Sequence, residues 1–212
     1  EADPGRPTFA ALYQHDQIAE YKGTCDVLGT DPYPIPEHPL SRAADFTRKT
    51  VAGNMGGPVW MVPQAFDWKW YGNSNPKCRV PNLEEIRSMT WQCLANGANG
   101  IVYWAQYPLM RNLKSAEFKA VWKDYCAVGR EVGKFIPVLL SDEDAPEVTG
   151  WPEGVSGRAW KKDGRVYVLA VNVTYEKQNA EIKKILTPEQ FKTYTDQMNR
   201  MRQGGPGGPG PR

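Results

Sequence analysis

The chain has 212 residues, of which 41% are hydrophobic and 24% are charged, with a formal net charge of +2. This composition supports a folded core, and the balanced charge without a Lys/Arg block argues against nucleic acid as a partner. No apolar run approaches the roughly 20 residues that span a bilayer, so we expect no membrane span. The eight Trp and ten Tyr are more informative, because aromatic rings pack well against the C–H faces of sugars.

The first two-thirds of the sequence predicts alternating strands and helices. A helix is predicted over residues 39–52, with Ser41 as its N-cap, and a longer one from about 115 to 136. Strands separated by helical stretches indicate βαβ units and a parallel sheet. The four predicted strands are the short apolar runs at residues 8–13, 25–29, 59–62 and 100–104.

The helix between the third and fourth strands has the clearest start signal. Asn82 is followed three residues later by Glu85, which is the capping-box pattern. Arg79, just before this helix, is expected to bond a loop carboxylate and so to have a structural role.

The composition changes near residues 142–146, and a different kind of sheet is predicted after it. Two apolar runs flank Lys162, Asp163 and Gly164, and Asp-Gly between such runs is a strong hairpin signal. Farther on, the Thr-Pro-Glu-Gln run at 187–190 predicts a terminal helix, and the Gly/Pro-rich end is expected to be disordered. These predictions divide the chain into residues 1–140, 141–185, 186–203 and 204–212.

The four cysteines are scattered and lack the spacing of a metal site. Cys25, Cys78, Cys93 and Cys126 form no CxxC pair and have no neighbouring histidine. We therefore expect free thiols, no bound metal and no cofactor, and the sequence leaves a disulfide open.

Four landmarks occur in an order that resembles a known enzyme family. They are the segments at residues 3–7, 26–34, 57–64 and 97–104. Together they resemble the second half of the barrel in β-galactosidase-like retaining glycoside hydrolases, over roughly residues 3–138. The resemblance implies an α/β fold: half of a TIM-type (β/α)8 barrel, followed by a small antiparallel β segment and a terminal helix.

In such barrels the functional residues lie at the carboxyl ends of the strands. The resemblance therefore implies a sugar-binding platform of aromatic rings beside amide and carboxylate groups. The residues at these ends are Asp31, Tyr33, Gln64, Phe66, Asp67, Trp68, Trp104, Gln106 and Tyr107.

Hydrolysis with retention requires two carboxyl groups about 5 Å apart. By resemblance, the acid/base lies upstream of Glu1 and the nucleophile position falls on Gln64, whose neutral amide cannot act as a carboxylate does. Asp67 is the best substitute, and Asp31 is the second. The alternatives are that Asp31 caps its own Asp-Pro turn and that Asp67 pairs with Lys69.

The leading hypothesis is a glycoside hydrolase-like protein that acts on or binds an oligosaccharide, incomplete and inactive as this chain alone. Whether it is an enzyme stays open. One alternative is a non-catalytic sugar-binding protein, with Gln64 in place of the nucleophile, and another is a structural or assembly module. A bacterial-type periplasmic or extracellular location is expected. Half a barrel has open sheet edges, which a preceding segment, a second chain or the C-terminal segments can cover; we favour the preceding segment.

Overall fold

The computed structural model describes residues 5–105 and 113–173. The predicted terminal helix over 186–203 and the predicted disordered end over 204–212 lie outside these residues. Within them the fold is mixed α/β, as expected, and contains four short parallel strands and one antiparallel hairpin. The parallel strands are β1 (Phe9–Leu12), β2 (Val27–Thr30), β3 (Trp60–Met61) and β4 (Gly100–Ile101).

The four parallel strands lie side by side in chain order. β1 pairs with β2, and β3 pairs with β4. The two pairs are joined where Leu28 N donates to Pro58 O (3.3 Å) and Val62 N donates to Thr30 O (2.9 Å). The β3–β4 contact continues past the strands to Ala65 N, which donates to Trp104 O (2.5 Å). Across the described residues, no closed barrel is present.

Helices connect these strands. Two short 3₁₀ helices also occur, His15–Tyr21 between β1 and β2, and Trp68–Tyr71 after β3. The α-helices are α1 (Arg42–Asn54), α2 (Leu83–Ala95), α3 (Ala116–Gly133) and the one-turn α4 (Ile136–Leu139).

Of the three longer α-helices, α2 and α3 begin with a side-chain cap, and α1 does not. The capping box of α2 is confirmed: Asn82 accepts from Glu85 N, and the Glu85 carboxylate accepts from Asn82 N, both at 2.9 Å. Ser115 caps α3 by accepting from Phe118 N (3.0 Å). The prediction for Ser41 was wrong, because its backbone is already helical (φ −57°, ψ −16°) and its hydroxyl makes no capping bond. A capping side chain normally reaches the first turn from an extended backbone.

One face of the parallel sheet is covered by α1 and α2. Met61 of β3 and the preceding Val59 pack there against Phe46 of α1 and Met89 and Cys93 of α2, all essentially buried. This layer removes large apolar side chains from water, which is the main stabilising contribution in such a core.

The opposite face of the sheet is exposed at the two outer strands, where Phe9, Val102 and Trp104 lie, whereas Val62 near its centre is buried. Side chains alternate between the two faces of a strand, so Trp60 and Val102, the neighbours of the core residues Met61 and Ile101, point to this side. Phe9 of β1 joins them, with its ring centroid 5.4 Å from that of Trp60. A side chain at Gly100 would collide with the Trp60 indole at 2.5 Å, so glycine is required there. We refer to Phe9, Trp60, Val102 and Trp104 as the open face.

The C-terminal hairpin forms as predicted. β5 (Val155–Lys162) and β6 (Arg165–Asn172) pair antiparallel in register over all eight residues. Asp163 (φ 51°) and Gly164 (φ 72°) both have the left-handed backbone of a type I′ turn. Glu143 accepts from Asp163 N (2.6 Å) and Gly164 N (3.2 Å), and so holds the turn from outside.

The hairpin packs on α2 rather than standing apart from the parallel sheet. Val171 of β6 is buried with Trp91 and Leu94 of α2. Glu131 of α3 ties this region together, because its carboxylate accepts from Arg87 Nε and from Trp91 Nε1, each at 2.8 Å.

Cys25, Cys78, Cys93 and Cys126 are free thiols, and Cys78 and Cys93 are buried. Among residues 5–105 and 113–173, no helix combines the length and apolar character needed to cross a bilayer. Within the same ranges, His, Cys, Asp and Glu side chains form no group of three or more that is arranged to hold a metal ion.

Candidate functional site

Four aromatic side chains meet at the carboxyl ends of β2 and β3. We call Tyr33, Phe66, Trp68 and Tyr71 the aromatic cluster. Phe66 lies at its centre and is almost fully buried, with ring centroids of Tyr33, Trp68 and Tyr71 at 4.9, 4.8 and 5.0 Å. All these pairs are close to edge-to-face, the arrangement that aromatic quadrupoles favour. The cluster therefore presents three amphipathic rings around a buried phenyl ring.

Trp68 and Tyr71 are brought together by local geometry. They are the first and last residues of the 3₁₀ helix after β3, and residues three apart are eclipsed in such a helix. Tyr71 is 46% exposed, so part of its ring is available to a ligand. The sequence analysis did not include Tyr71, although the aromatic run at residues 68–71 contained the signal.

Asp31 lies next to this cluster at the end of β2. Its neighbour Thr30 faces α1, where the two hydroxyls of Thr30 and Thr50 are 2.7 Å apart, so the alternation of side chains directs Asp31 to the open face. Burial raises the pKa of the Asp31 carboxyl, and this effect outweighs the opposing hydrogen bond from Tyr33 and the attraction of Arg42. In turn, burial and the Asp31 charge raise the pKa of Tyr33. Asp31 and Tyr33 are thus neighbours, and the Oδ1 of Asp31 is buried without a hydrogen-bond partner.

Arg42 lies close enough to Asp31 to interact with its charge, and no sequence pattern indicated this residue. It is the first residue of α1, and its guanidinium carbon lies 4.4 Å from the centre of the Phe46 ring. Burial lowers the pKa of Arg42, whereas the Asp31 charge opposes that change.

Gln64 has a different role from the one its position suggested. It is fully buried, its Oε1 accepts from Ile35 N (2.9 Å), and its Nε2 donates to Ile35 O (2.9 Å) and Phe66 O (3.0 Å). The predicted contact with a sugar hydroxyl is not available in this conformation, because backbone groups occupy the amide. Through these hydrogen bonds, Gln64 links the loop after β2 to the loop after β3, and this link positions Tyr33 beside Phe66.

Asp67 is the N-cap of the 3₁₀ helix that carries Trp68. Its Oδ1 accepts from Lys69 N (2.9 Å), so the carboxylate bonds the backbone of Lys69 rather than its ammonium group. This arrangement explains Asp67 as a turn residue. The half-buried setting of the Asp31 carboxyl is more typical of a functional group than the turn-capping role of Asp67.

Three predicted sugar-binding residues remain, and the structure describes one of them, Trp104. Trp104 follows β4, is 51% exposed and points to the open face. Gln106 and Tyr107 lie outside the described residues.

Arg79 and Glu85 lie beside the site and are structural, as predicted for Arg79. The guanidinium makes two bonds of 2.6 Å to the two carboxylate oxygens of Glu85, whose side chain is almost fully buried. The partner is the capping glutamate of α2, so the cap and the ion pair share one carboxylate.

No family model matches the chain, and neither a curated protein nor a solved structure is detectably similar to it. The function is therefore argued from the site itself.

Proposed function

We propose that this chain is a glycoside hydrolase-like, carbohydrate-binding protein whose sugar site is the aromatic cluster with Asp31. The observation that carries the proposal is the position of Tyr33, Trp68 and Tyr71 around Phe66, beside the half-buried carboxyl group of Asp31, whose Oδ1 has no hydrogen-bond partner. Rings bind the apolar faces of a sugar, and a carboxylate accepts from its hydroxyls. Ligand sites of this composition are common at the carboxyl ends of parallel strands.

The order of the strands supports the same proposal. Four parallel strands in chain order, joined through 3₁₀ and α-helices, are what half of a (β/α)8 barrel requires. In that fold the loops after β2, β3 and β4 share one end of the sheet. Trp104 then lies on the same side as the cluster and extends the binding surface.

Binding without hydrolysis is the activity that these residues favour. The position where the resemblance places a nucleophile holds Gln64, whose amide is buried and bonded to the backbone. Asp67 caps a turn, which leaves Asp31 as the single carboxyl with an unusual environment in the described site. Retaining hydrolysis requires two such groups.

The test of binding is calorimetric titration with a panel of neutral oligosaccharides up to millimolar concentration. We expect measurable binding that weakens about fivefold or more in Trp68→Ala, because loss of a stacked ring removes about 1 kcal/mol or more. Trp122→Ala is the matched control, since Trp122 is 54% exposed on α3 and is not part of the cluster. No binding by any sugar, or equal losses in the two variants, contradicts the proposal.

The test of catalysis uses aryl glycosides with the same chain. We expect no turnover by the wild type or by Gln64→Glu, since a carboxylate at this buried position has no path to substrate. Turnover that is lost in Asp31→Asn and kept in Asp67→Asn contradicts the non-catalytic part and assigns the acid.

A further inference from the structure

A cleft of about 340 Å³ lies between the hairpin, α2, β4 and the α3–α4 region. None of the residues of the aromatic cluster lines it, so it is a separate space. Its volume is at the lower end of the range for small-molecule sites. We call this space the hairpin cleft, and the residues that line it include Leu94, Ile101, Val132, Leu139, Arg158 and Trp160.

The helices and β4 give the hairpin cleft an apolar lining. Leu94, Val132 and Leu139 belong to the packed cluster between α2 and the hairpin. Gly129 of α3 also lines the cleft and leaves space in it, because a β-carbon there meets nothing within 4 Å. A ligand in the cleft therefore contacts mainly hydrocarbon.

The polar side chains on this side of the cleft already have partners within the protein. The hydroxyl oxygens of Thr90 and Tyr103 are 2.6 Å apart, and Asn99 Oδ1 accepts from Val59 N (2.9 Å). The oxygens of these three side chains are thus engaged.

The hairpin side of the cleft carries a cation. Arg158 lies opposite Leu169 in the β5–β6 register, and directly opposite residues share a face, so Arg158 is on the face that packs toward α2. Its guanidinium carbon lies 5.1 Å from the centre of the ring of Trp160, which is itself buried. This cation–π contact holds the guanidinium over the indole.

The Arg158 guanidinium has no acidic partner in the part of the chain that the structure describes. It lines a neighbouring cleft together with Asp144 and Glu147, but it forms an ion pair with neither of them. Burial lowers the pKa of Arg158, and no carboxylate charge opposes this change, whereas Asp31 opposes it at Arg42. A guanidinium that is partly withdrawn from water and has no carboxylate partner favours an anionic ligand.

We propose that the hairpin cleft binds a small amphipathic carboxylate. Its apolar body lies against Ile101, Val132 and Leu139, and its carboxylate accepts from the Arg158 guanidinium, whose planar fork of donors matches that group. A neutral ligand of the same shape leaves the Arg158 charge without a partner. Because the aromatic cluster does not line this cleft, the site does not require that sugar binds.

The first test compares cinnamate with cinnamamide, a neutral molecule of nearly the same shape, by calorimetric titration of the full chain. We expect cinnamate to bind with a dissociation constant of about 1 mM or lower, which is ordinary for a ligand of about ten non-hydrogen atoms. Cinnamamide should bind at least about tenfold more weakly, because it lacks the hydrogen bonds between two charged groups. Equal binding of the two molecules, or no binding of cinnamate at millimolar concentration, overturns the proposal.

Two arginine variants of the hairpin separate this site from a general effect of charge. Arg158→Gln is expected to weaken cinnamate binding at least about tenfold and to leave cinnamamide binding unchanged. Arg165→Gln makes the same change of charge at an exposed residue of β6 that does not line the cleft, and it should bind cinnamate as the wild type does. Circular dichroism verifies that both variants are folded. Equal losses of cinnamate binding in the two variants contradict the assignment of Arg158.

Nuclear magnetic resonance locates the bound cinnamate. The chain has eight Trp, and the indole N–H signal of Trp160 is expected to shift the most when cinnamate is added. Trp160→Phe assigns that signal. If the largest shift belongs to Trp68 instead, cinnamate binds at the aromatic cluster, and the hairpin cleft is not its site.

Discussion

The C-terminal hairpin and the parallel sheet satisfy their backbone groups in different ways. β5 and β6 pair over eight residues each, whereas β3 and β4 pair over two. The parallel region instead uses polar side chains as hydrogen-bond partners for its backbone, and two of the three, Asn54 and Gln64, are buried. Asn99 Oδ1 accepts from Val59 N, Asn54 Nδ2 donates to Pro58 O, and Gln64 bonds both backbone groups of Ile35.

The hairpin is therefore stabilised mainly by local interactions, and the parallel region mainly by interactions between segments far apart in the chain. The hairpin turn is set by two adjacent residues with left-handed backbone, so its stability depends on a short piece of sequence. The parallel region joins segments far apart in the chain, and a few buried polar side chains connect them. Single substitutions at these side chains are therefore expected to cost more than substitutions in the hairpin turn.

The largest effect is expected at Gln64. In Gln64→Leu, the backbone groups of Ile35 and the carbonyl of Phe66 lose their partners in a buried site, where each unsatisfied group costs about 1–3 kcal/mol. We expect the free energy of unfolding to fall by about 4 kcal/mol in chemical denaturation. The exposed Gln14 provides the control, and a Gln14→Ala loss as large as that of Gln64→Leu contradicts the comparison.

The next effect is expected at Glu85. Glu85→Ala removes half of the capping box. It also removes the two hydrogen bonds that the Arg79 guanidinium donates to the Glu85 carboxylate. We expect a loss of about 3 kcal/mol in thermal or urea unfolding, because a cap and a partly buried ion pair are lost together. The neighbouring Glu84 is exposed, and Glu84→Ala should change stability by less than about 0.5 kcal/mol. Similar losses in the two variants would show that the buried carboxylate is not special.

A smaller effect is expected in the hairpin. Gly164→Ala places a side chain on a residue with φ +72°, at a cost of about 1 kcal/mol. Gly129→Ala is the control of opposite sign: Gly129 is in α3, a β-carbon there meets nothing within 4 Å, and alanine favours a helix by roughly 0.5–1 kcal/mol. If Gly164→Ala is neutral, the turn is not set by its backbone conformation.

The smallest effect is a pH dependence at Asp31. Because burial raises its folded-state pKa, the folded protein loses stability as pH rises from the ordinary Asp pKa of 3.8 through the folded value. Asp31→Asn should therefore match the wild type near pH 3 and gain relative to it toward pH 7. Unfolding by urea at several pH values measures this difference.

Asp26 is the opposite control for that experiment. Hydrogen bonds from the Thr8 backbone and hydroxyl lower its pKa, so its contribution is present above pH 3.8 and is lost as pH falls through the folded value. Asp26→Asn should lose stability relative to the wild type near pH 7 and match it at low pH. The same sign of pH dependence in both variants contradicts the assigned environments.

Much of the local structure was predictable because its signals are adjacent in the chain. The Asp163-Gly164 turn, the Asn82–Glu85 capping box and the Ser115 start of α3 each involve residues within a few positions of one another. The alternation of strands and helices was likewise visible as short apolar runs. The prediction that Ser41 caps α1 failed for a related reason. Serine is a suitable cap, but the backbone of Ser41 is already helical, and only the structure shows its φ and ψ angles.

The sequence predicted most of the residues at the site, but it did not predict the role of each residue. The sequence placed Tyr33, Phe66 and Trp68 near one another through the barrel resemblance, but it did not separate the buried Phe66 from the exposed Tyr71. It ranked Asp67 above Asp31, whereas in the structure the Asp67 carboxylate accepts from Lys69 N and the Asp31 carboxyl is half buried near Tyr33. Burial depends on which segments pack over a residue, and that information is not local.

Periodicity, turn chemistry and residue type were enough to predict the alternating elements, the hairpin and the aromatic residues at the strand ends. Three features could be read only from the structure: the burial of Gln64 between two loops, the raised pKa of the Asp31 carboxyl, and the exposure of one face at the outer strands of the sheet. Each of these depends on distances between segments far apart in the chain. The physical reason is that propensities act over a few residues, whereas desolvation and buried hydrogen bonds depend on the packed whole.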